Sequence, residues 1–251
     1  MAEETAPREI YGKTLVELGR ENRNIVVLDA DVSPSTMTLY FQKAYPERFI
    51  EVGIAEANMI GIACGLAANG KIPFASTFAV FATSRCFDQL RVSVALAQLN
   101  VKVVATHAGL TVGEDGASHQ ALEDLALVCS LPGFTVIVPA DGIETAQVIR
   151  AVAALDGPCY VRLPRGKLPQ ICSPDYKFEI GKGYEMRPGK DATIMAIGVM
   201  MAPAMEAAAA LAKENIDCSV LNMASLKPIY EAAVIKAAIE TGAIVTAEEH
   251  Q

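Results

Sequence analysis

Arg48-Phe-Ile-Glu-Val-Gly-Ile-Ala-Glu-Ala-Asn-Met-Ile-Gly-Ile-Ala-Cys-Gly-Leu66 reads as a buried strand that breaks at Gly53 and restarts as a helix. The break places Glu56 at the helix start, where unpaired backbone N–H groups and the helix dipole favour a carboxylate. Helix capping is the plain account of Glu56. The helix that follows adds to it, because Ala57, Gly61, Ala63, Gly65, Ala67 and Ala68 leave little bulk on any face. Glycine at two positions one turn apart weakens a helix, so close packing against another element is expected there. A carboxylate introducing such a helix lies in apolar, partly desolvated surroundings, where perturbed functional groups concentrate.

Outward from this stretch the same alternation recurs. Apolar spacing predicts a helix over Ile10–Leu18. Short apolar runs predict strands at Ile25–Leu28, Phe49–Val52, Pro73–Thr77, Val101–Thr106, Thr135–Val138 and Cys159–Leu163. Between them fall helices near Glu56–Asn69, Val80–Leu99, Ala121–Ser130 and Ile143–Leu155. Strands without polar alternation, separated by helices, mean an α/β domain whose parallel sheet is covered on both faces. Ligands of such sheets gather at the strand carboxyl ends, and Asp29-Ala-Asp-Val-Ser-Pro-Ser-Thr-Met37 is a polar, proline-broken segment of that kind.

Residues 1–166 form this first domain. The proline-containing, aperiodic residues 167–178 read as a linker. Residues 179–251 then start a second α/β domain with strands at Ala192–Ile197, Cys218–Leu221 and Ala243–Thr246 and helices at Ala202–Lys213 and Tyr230–Glu240. Its last strand is followed by no covering helix, so this domain reads as incomplete, a truncated one.

With 251 residues there is chain enough for two cores. Hydrophobic residues make up 52% and charged ones 20%, which excludes disorder and suggests a face covered by a partner. A net charge of −8 without any long basic run argues against nucleic acid and anionic membrane as partners. No apolar run is long enough to span a bilayer and the N-terminus lacks a signal-like core, so the chain reads as soluble and cytoplasmic. The six cysteines form no C-x-x-C pair and read as reduced core residues.

Two of three histidines bracket one glycine-rich loop, His107-Ala-Gly-Leu-Thr-Val-Gly-Glu-Asp-Gly-Ala-Ser-His119. Titratable His107, Glu114, Asp115 and His119 alternate there with glycines that permit tight turns or close approach to a ligand. The spacing is wrong for zinc, and no metal is assigned to this chain. Dinucleotide, P-loop and nucleophile-elbow signatures are missing. Phe78 and Phe81 stand three apart where a strand gives way to a helix. Ordinary core is one reading, and with Glu56 nearby the other is a pocket for a flat heteroaromatic ring.

Ile54-Ala-Glu-Ala-Asn58, Ser76-Thr-Phe-Ala-Val-Phe81, Thr106-His107 and Gly113-Glu-Asp-Gly-Ala-Ser-His-Gln120, in this order, resemble the C-terminal half of transketolase. The resemblance covers the whole chain, and nothing in it resembles the diphosphate-binding half. It implies a pyrimidine-binding domain followed by the family's C-terminal domain, acting as the small subunit of a split transketolase. Such a subunit would transfer a two-carbon ketol unit between sugar phosphates only with a separate large subunit, in a heterotetramer. Thiamine diphosphate would be the cofactor, with Mg²⁺ or Ca²⁺ held by the large subunit. Position by position, the resemblance implies that Glu56 bonds the aminopyrimidine N1′, so that the cofactor serves as its own base. It assigns Phe78 and Phe81 to the aromatic pocket, His107 and His119 to catalysis, and His107, Asp115 and His119 to sugar contacts. Arg8, Ser35 and Arg165 match the phosphate clamp, Arg162 competing with Arg165 for that place. Two departures stand out: Ser84 replaces a third aromatic residue, and Ala108-Gly109 replaces Asp-Ser after the loop's first histidine. Deoxyxylulose-phosphate synthase and the β subunit of 2-oxo-acid dehydrogenases use the same glutamate, and a non-catalytic stabilising partner is the alternative from another class. The Gly113–Gln120 motif argues against the first two. Glu56, His107, Asp115 and His119 occurring together argue against the third.

Overall fold

The computed structural model describes residues 4–251. A two-residue strand, β1 (Glu4–Thr5), precedes α1 (Pro7–Glu21), which opens on a proline where an N–H is not needed and buries Tyr11, Leu15 and Leu18. The first domain continues with β2 (Ile25–Asp29), α2 (Ser33–Thr36), α3 (Leu39–Ala44), β3 (Phe49–Glu51), α4 (Glu56–Ala68), β4 (Ile72–Phe78), β5 (Lys102–Thr106), α5 (Asp124–Ser130), β6 (Thr135–Ile137), α6 (Gly142–Ala154) and β7 (Cys159–Arg162). Strands β2 to β7 pair in parallel. Their alternate residues enter opposite cores. Leu28, Val103, Val136 and Tyr160 face the α4 side with Met59 and Leu90. Val27, Val104, Ile137 and Val161 face the α1 and α6 side with Tyr11 and Ile149. Two apolar covers explain why the strands carry no polar alternation.

The structure corrects several expectations. The strand before Glu56 is not buried: β3 has only three residues and lies at the open edge of the sheet, with Glu51 exposed. Nothing in this chain approaches the small face of α4 either, since a Cβ at Gly61 or Gly65 would meet no atom within 4 Å. Met59, Ile60, Ala63 and Cys64 take the inward face instead. The helix expected over Val80–Leu99 is widened into π-helical turns at Phe81–Arg85 and Gln89–Ala95, a distortion frequent at functional sites. The helix expected from Ala121 starts only at Asp124, because Ala121 bridges back to Gly109 across the glycine-rich loop.

Residues 167–178 are strapped down. Here β8 (Leu168–Pro169) pairs with β1, and Asp141, the α6 N-cap, accepts N–H bonds from Glu144 (2.9 Å), Ile171 (2.9 Å) and Cys172 (2.7 Å). The second domain contains β9 (Tyr184–Arg187), β10 (Ala192–Ala196), α7 (Met201–Ala212), β11 (Cys218–Asn222), β12 (Ser225–Lys227), α8 (Glu231–Thr241) and β13 (Ile244–Ala247). Its four-stranded sheet has the order β13-β10-β11-β9, with β9 antiparallel. The short β9 and β12 carry no periodic signal and were not anticipated. Strand β12 leaves its own domain and joins the first sheet antiparallel to β6, giving the order β12-β6-β7-β5-β4-β2-β3. Strand β13 is an edge strand with Val245 exposed. All six cysteines are free. Among the described residues no helix is long and apolar enough to cross a membrane.

The domains also share a buried carboxylate. Glu144 accepts from Ala140 N (2.6 Å), from Asn222 Nδ2 of the second domain (2.9 Å) and from the Tyr176 hydroxyl of the connecting segment. Hydrogen bonds to a buried charged group are costly to lose, so Tyr176→Phe is expected to lower the unfolding free energy by about 1–3 kcal/mol. Urea titration measures this, and an unchanged midpoint would mean that the connection is held elsewhere.

Candidate active site

Every residue singled out from sequence stands at or near a carboxyl end of the parallel sheet except Arg8, which reaches it from the first turn of α1. Glu56 is the first residue of α4, after β3; Phe78 ends β4; His107 follows β5; Ser35 sits on α2, after β2; Arg165 follows β7. Strand order brings them together, because β3, β2, β4, β5 and β7 are neighbours in the sheet.

One side of the site is a continuous wall. The His107 ring stacks on Phe78 at 3.9 Å between centroids, and Phe78 stacks on Phe81 at 5.8 Å. His119 presents its edge to Phe81 (5.2 Å) and Phe78 (5.9 Å). The guanidinium of Arg85 lies over Phe81 at 3.9 Å and binds Glu56 Oε1 at 2.5 Å. Glu56 is a buried carboxylate with a 6% exposed side chain, at the N-terminus of a helix and in reach of a flat apolar surface. Such a group can hydrogen-bond a nitrogen of a heteroaromatic ring seated on the wall. Sequence reasoning missed Arg85. Its signal was a lone arginine four residues after Phe81, on the face Ser84 leaves without an aromatic ring.

The other side is polar. Arg8 donates to the Ser35 carbonyl at 2.8 Å, so Ser35 enters the cluster through its backbone. Arg165 pairs with Glu114 (2.9 Å) and Asp115 (3.4 Å). Burial and the charge of Arg165 both push the Arg8 pKa down, the mark of two guanidiniums sharing one region. Asp29, the last residue of β2 and the first of the polar segment that follows, builds the turn that carries Ser35. Its buried carboxylate accepts from Thr36 (2.7 Å), Thr38 (2.8 Å) and Val32 N (2.8 Å), and burial raises its pKa to about 6.

His107 has φ of +58°, a left-handed conformation uncommon for histidine, and its Nδ1 meets Thr106 Oγ1 at 2.9 Å. Burial, then Arg8, pushes its pKa down to about 4, with Arg165 and His119 adding to the shift and Asp115 opposing it. The ring is therefore neutral near pH 7. Arg162 plays a different part from Arg165. It is 3% exposed, and its Nε binds Asp124 Oδ2 at 2.9 Å, where Tyr160 also donates. Among the described residues no group of three or more His, Cys, Asp or Glu is placed to hold a metal ion.

Comparison with known proteins places this geometry in context. Residues 3–170 match the family model described as transketolase, pyrimidine binding domain, and residues 181–251 match transketolase, C-terminal domain. The chain is 48% identical over 245 residues to the "Putative transketolase C-terminal section" of Methanocaldococcus jannaschii, covering 97% of this chain and 77% of that protein. It is 43% identical to the 6-deoxy-6-sulfo-D-fructose transketolase subunit SqwH of Clostridium sp. strain MSTE9, covering 96% and 75%. A solved structure described as a split gene transketolase, inactive beta4 tetramer, superposes with a TM-score of 0.92 at 54% identity, covering 99% and 81%. The transketolase of Campylobacter jejuni superposes at 0.89 and 27% identity, with this chain covering 40% of its length.

Two outcomes follow from the electrostatics. Arg162→Ala strands a buried carboxylate and should cost about 3–5 kcal/mol, whereas the exposed pairs of Arg165 make Arg165→Ala neutral to within about 0.5 kcal/mol. Equal losses in denaturant titration would contradict that division. For His107, the folded pKa lies below the unfolded value of about 6.5, so between the two the unfolded chain binds the extra proton. Its contribution is full above pH 6.5 and falls as the pH drops towards 4. His107→Asn, which tolerates the left-handed backbone, should reduce the loss of stability between pH 7.5 and pH 5 by about 1–2 kcal/mol. Asp29, with its raised pKa, contributes the opposite slope in parent and variant alike, so their difference isolates His107.

Proposed function

We propose, from the premise that this chain belongs to the transketolase family, that it is the small subunit of a split transketolase. In this reading residues 1–166 are the pyrimidine-binding domain, 167–178 the connection and 179–251 the C-terminal domain. The carrying observation is the buried Glu56 carboxylate beside the Phe78–Phe81–His107 wall.

These residues fit thiamine diphosphate. Glu56 is a secluded carboxylate that can bond the aminopyrimidine ring nitrogen, and Phe78 and Phe81 give that ring an apolar surface. When bound, the cofactor supplies the carbanion chemistry that moves a two-carbon ketol unit. Glu56 holds and returns the ring-nitrogen proton. Arg85 orients the carboxylate until a ligand takes a share of it. His107, neutral and stacked on Phe78, accepts or donates a hydrogen bond at a sugar hydroxyl without bringing charge to the wall. His119 and Asp115 contact the sugar from the loop, and Asp115 discriminates by hydroxyl pattern. Arg8 and Arg165 hold the anionic end of the substrate, a task suited to paired guanidiniums.

The diphosphate and its divalent metal, Mg²⁺ or Ca²⁺, are assigned to a large subunit. Support for that partner comes from the split relatives and from the 60% of the single-chain Campylobacter enzyme that this chain does not cover. Exposed Ile54, Val92 and Leu96, together with the open Gly61 and Gly65 face of α4, are where a partner chain can bury apolar surface. The proposed assembly is a cytoplasmic heterotetramer. Its substrates are a ketose and an aldose with phosphate or a comparable anionic tail, and the Ala108-Gly109 departure leaves room for an unusual sugar.

The test combines this chain with a candidate large subunit, thiamine diphosphate and Mg²⁺, and follows two-carbon transfer from xylulose 5-phosphate to ribose 5-phosphate. In the same complex Glu56→Gln should slow hydrogen–deuterium exchange at the cofactor C2 by at least ~10²-fold, the general acid–base range, without loss of assembly. An unchanged exchange rate would return Glu56 to helix capping.

A further inference from the structure

Within the glycine-rich loop Val112 is buried, Gln120 donates to the Leu110 carbonyl at 3.1 Å, and Arg165 pairs with Glu114 and Asp115 at the surface, but its glycine-bearing foot is less well held. Gly109, Gly113 and Gly116 all have positive φ, and Leu110, Thr111, Glu114 and Asp115 are exposed. What closes it at the base is one backbone bond, Gly109 N to Ala121 O at 3.1 Å. Two further ties come from the second domain, from the segment after β13. Beyond Gly109, the Thr111 N–H (3.1 Å) and hydroxyl (2.9 Å) both donate to Glu249 Oε2. Beyond Ala121, the Leu122 carbonyl accepts from Gln251 N at 2.7 Å. Arg162 stands between the two, with its guanidinium 3.3 Å from the Ala121 carbonyl and 3.6 Å from Glu249 Oε1.

Glu249 is 7% exposed, and its Oε1 accepts no hydrogen bond. Its seat exists because residue 109 has no side chain: a Cβ there would lie 2.1 Å from the carboxyl carbon. Any side chain at this position would push the carboxylate out of this seat. The departure from the family pattern at Gly109 and the buried Glu249 are therefore two halves of one contact.

We propose that Glu249 is a positioning residue: the second domain clamps the glycine-rich loop through this carboxylate and so sets where Asp115 and His119 stand. Identification of those two as sugar contacts rests on the function proposed above, but the clamp does not. Ordering a glycine-rich segment costs backbone entropy, and charge-assisted bonds to a desolvated carboxylate offset it. Arg162, already neutralised in part by Asp124, supplies the positive field that keeps a second carboxylate tolerable.

Amide exchange in this chain tests the clamp directly. Glu249→Ala should speed exchange at Gly109 and Thr111 about tenfold or more, as loss of bonds to a charged group implies, and leave β4 and β5 amides unchanged. Thr111→Val removes only the hydroxyl bond, leaves Arg162 covered, and should give a smaller change in the same direction. Gly109→Ala displaces the carboxylate and also strains a backbone at φ +81°, so it should raise Thr111 exchange at least as far; the double variant that tests the contact is Thr111→Val with Glu249→Ala, in which the first change should add little, because both remove the same contact. In the complex with a large subunit, Glu249→Ala should raise KM for the sugar phosphate about tenfold while C2 exchange of thiamine diphosphate stays at the parent rate. Unchanged exchange at Gly109 and Thr111, or multiplicative effects in the double variant, would overturn the clamp. Faster exchange with unchanged KM would overturn its influence on the site. A parent complex without ketol transfer would instead defeat the proposed function, leaving the exchange result to judge the clamp.

Discussion

Arg162 is buried against Asp124, and through that pair the sheet, the glycine-rich loop and the second domain become one structure. Its strand, β7, belongs to the parallel sheet; Asp124 starts α5; Ala121 is the loop's far foot; Glu249 follows β13 in the second domain. A buried pair of this kind is a poor source of net stability, since desolvation consumes most of the attraction. Its value is geometric. Removing either Arg162 or Asp124 leaves the other buried charge poorly compensated, so each element is held where the charge is best balanced.

The candidate site divides charge in a related way. On the wall side Glu56 is buried, and Arg85, lying over Phe81, is the cation that faces it. On the polar side Arg8 and Arg165 repel one another, with Glu114 and Asp115 absorbing part of the charge of Arg165. His107 lies at the junction and meets the repulsion by staying neutral. An imidazolium there would work against Arg8 and Arg165, whose charges add to the larger effect of burial in depressing its pKa.

Apolar surface is left over at one edge. Strand β3 is short, and Ile54 and the outer face of α4 lie open beside Val92 and Leu96. An open, small-residue helix face next to the site is what a chain of 52% hydrophobic residues can leave for another chain to cover. That the functional wall and the uncovered surface begin at the same helix, α4, gives the proposed partner subunit a physical place.

Much was legible from the residues alone. Unbroken apolar runs such as Ile25–Leu28 declared a doubly covered parallel sheet, and motifs at Glu56, Phe78, His107 and Gly113–Gln120 pointed to the family and to a candidate site, because local periodicity and short motifs survive in one dimension. Edges did not. Whether Phe49–Val52 is central or peripheral depends on strand order, and Ser225–Lys227 is too short to announce that it joins the other domain's sheet. Arg162 and Arg165 are chemically identical in sequence. Only the fold buries one beside Asp124 and leaves the other facing Asp115, because burial is a property of what packs from elsewhere in the chain. Gly109 is the sharpest instance: the sequence by itself showed a departure from a pattern, and the tertiary structure supplied the cause, a carboxylate from 140 positions away that needs the space a side chain would occupy.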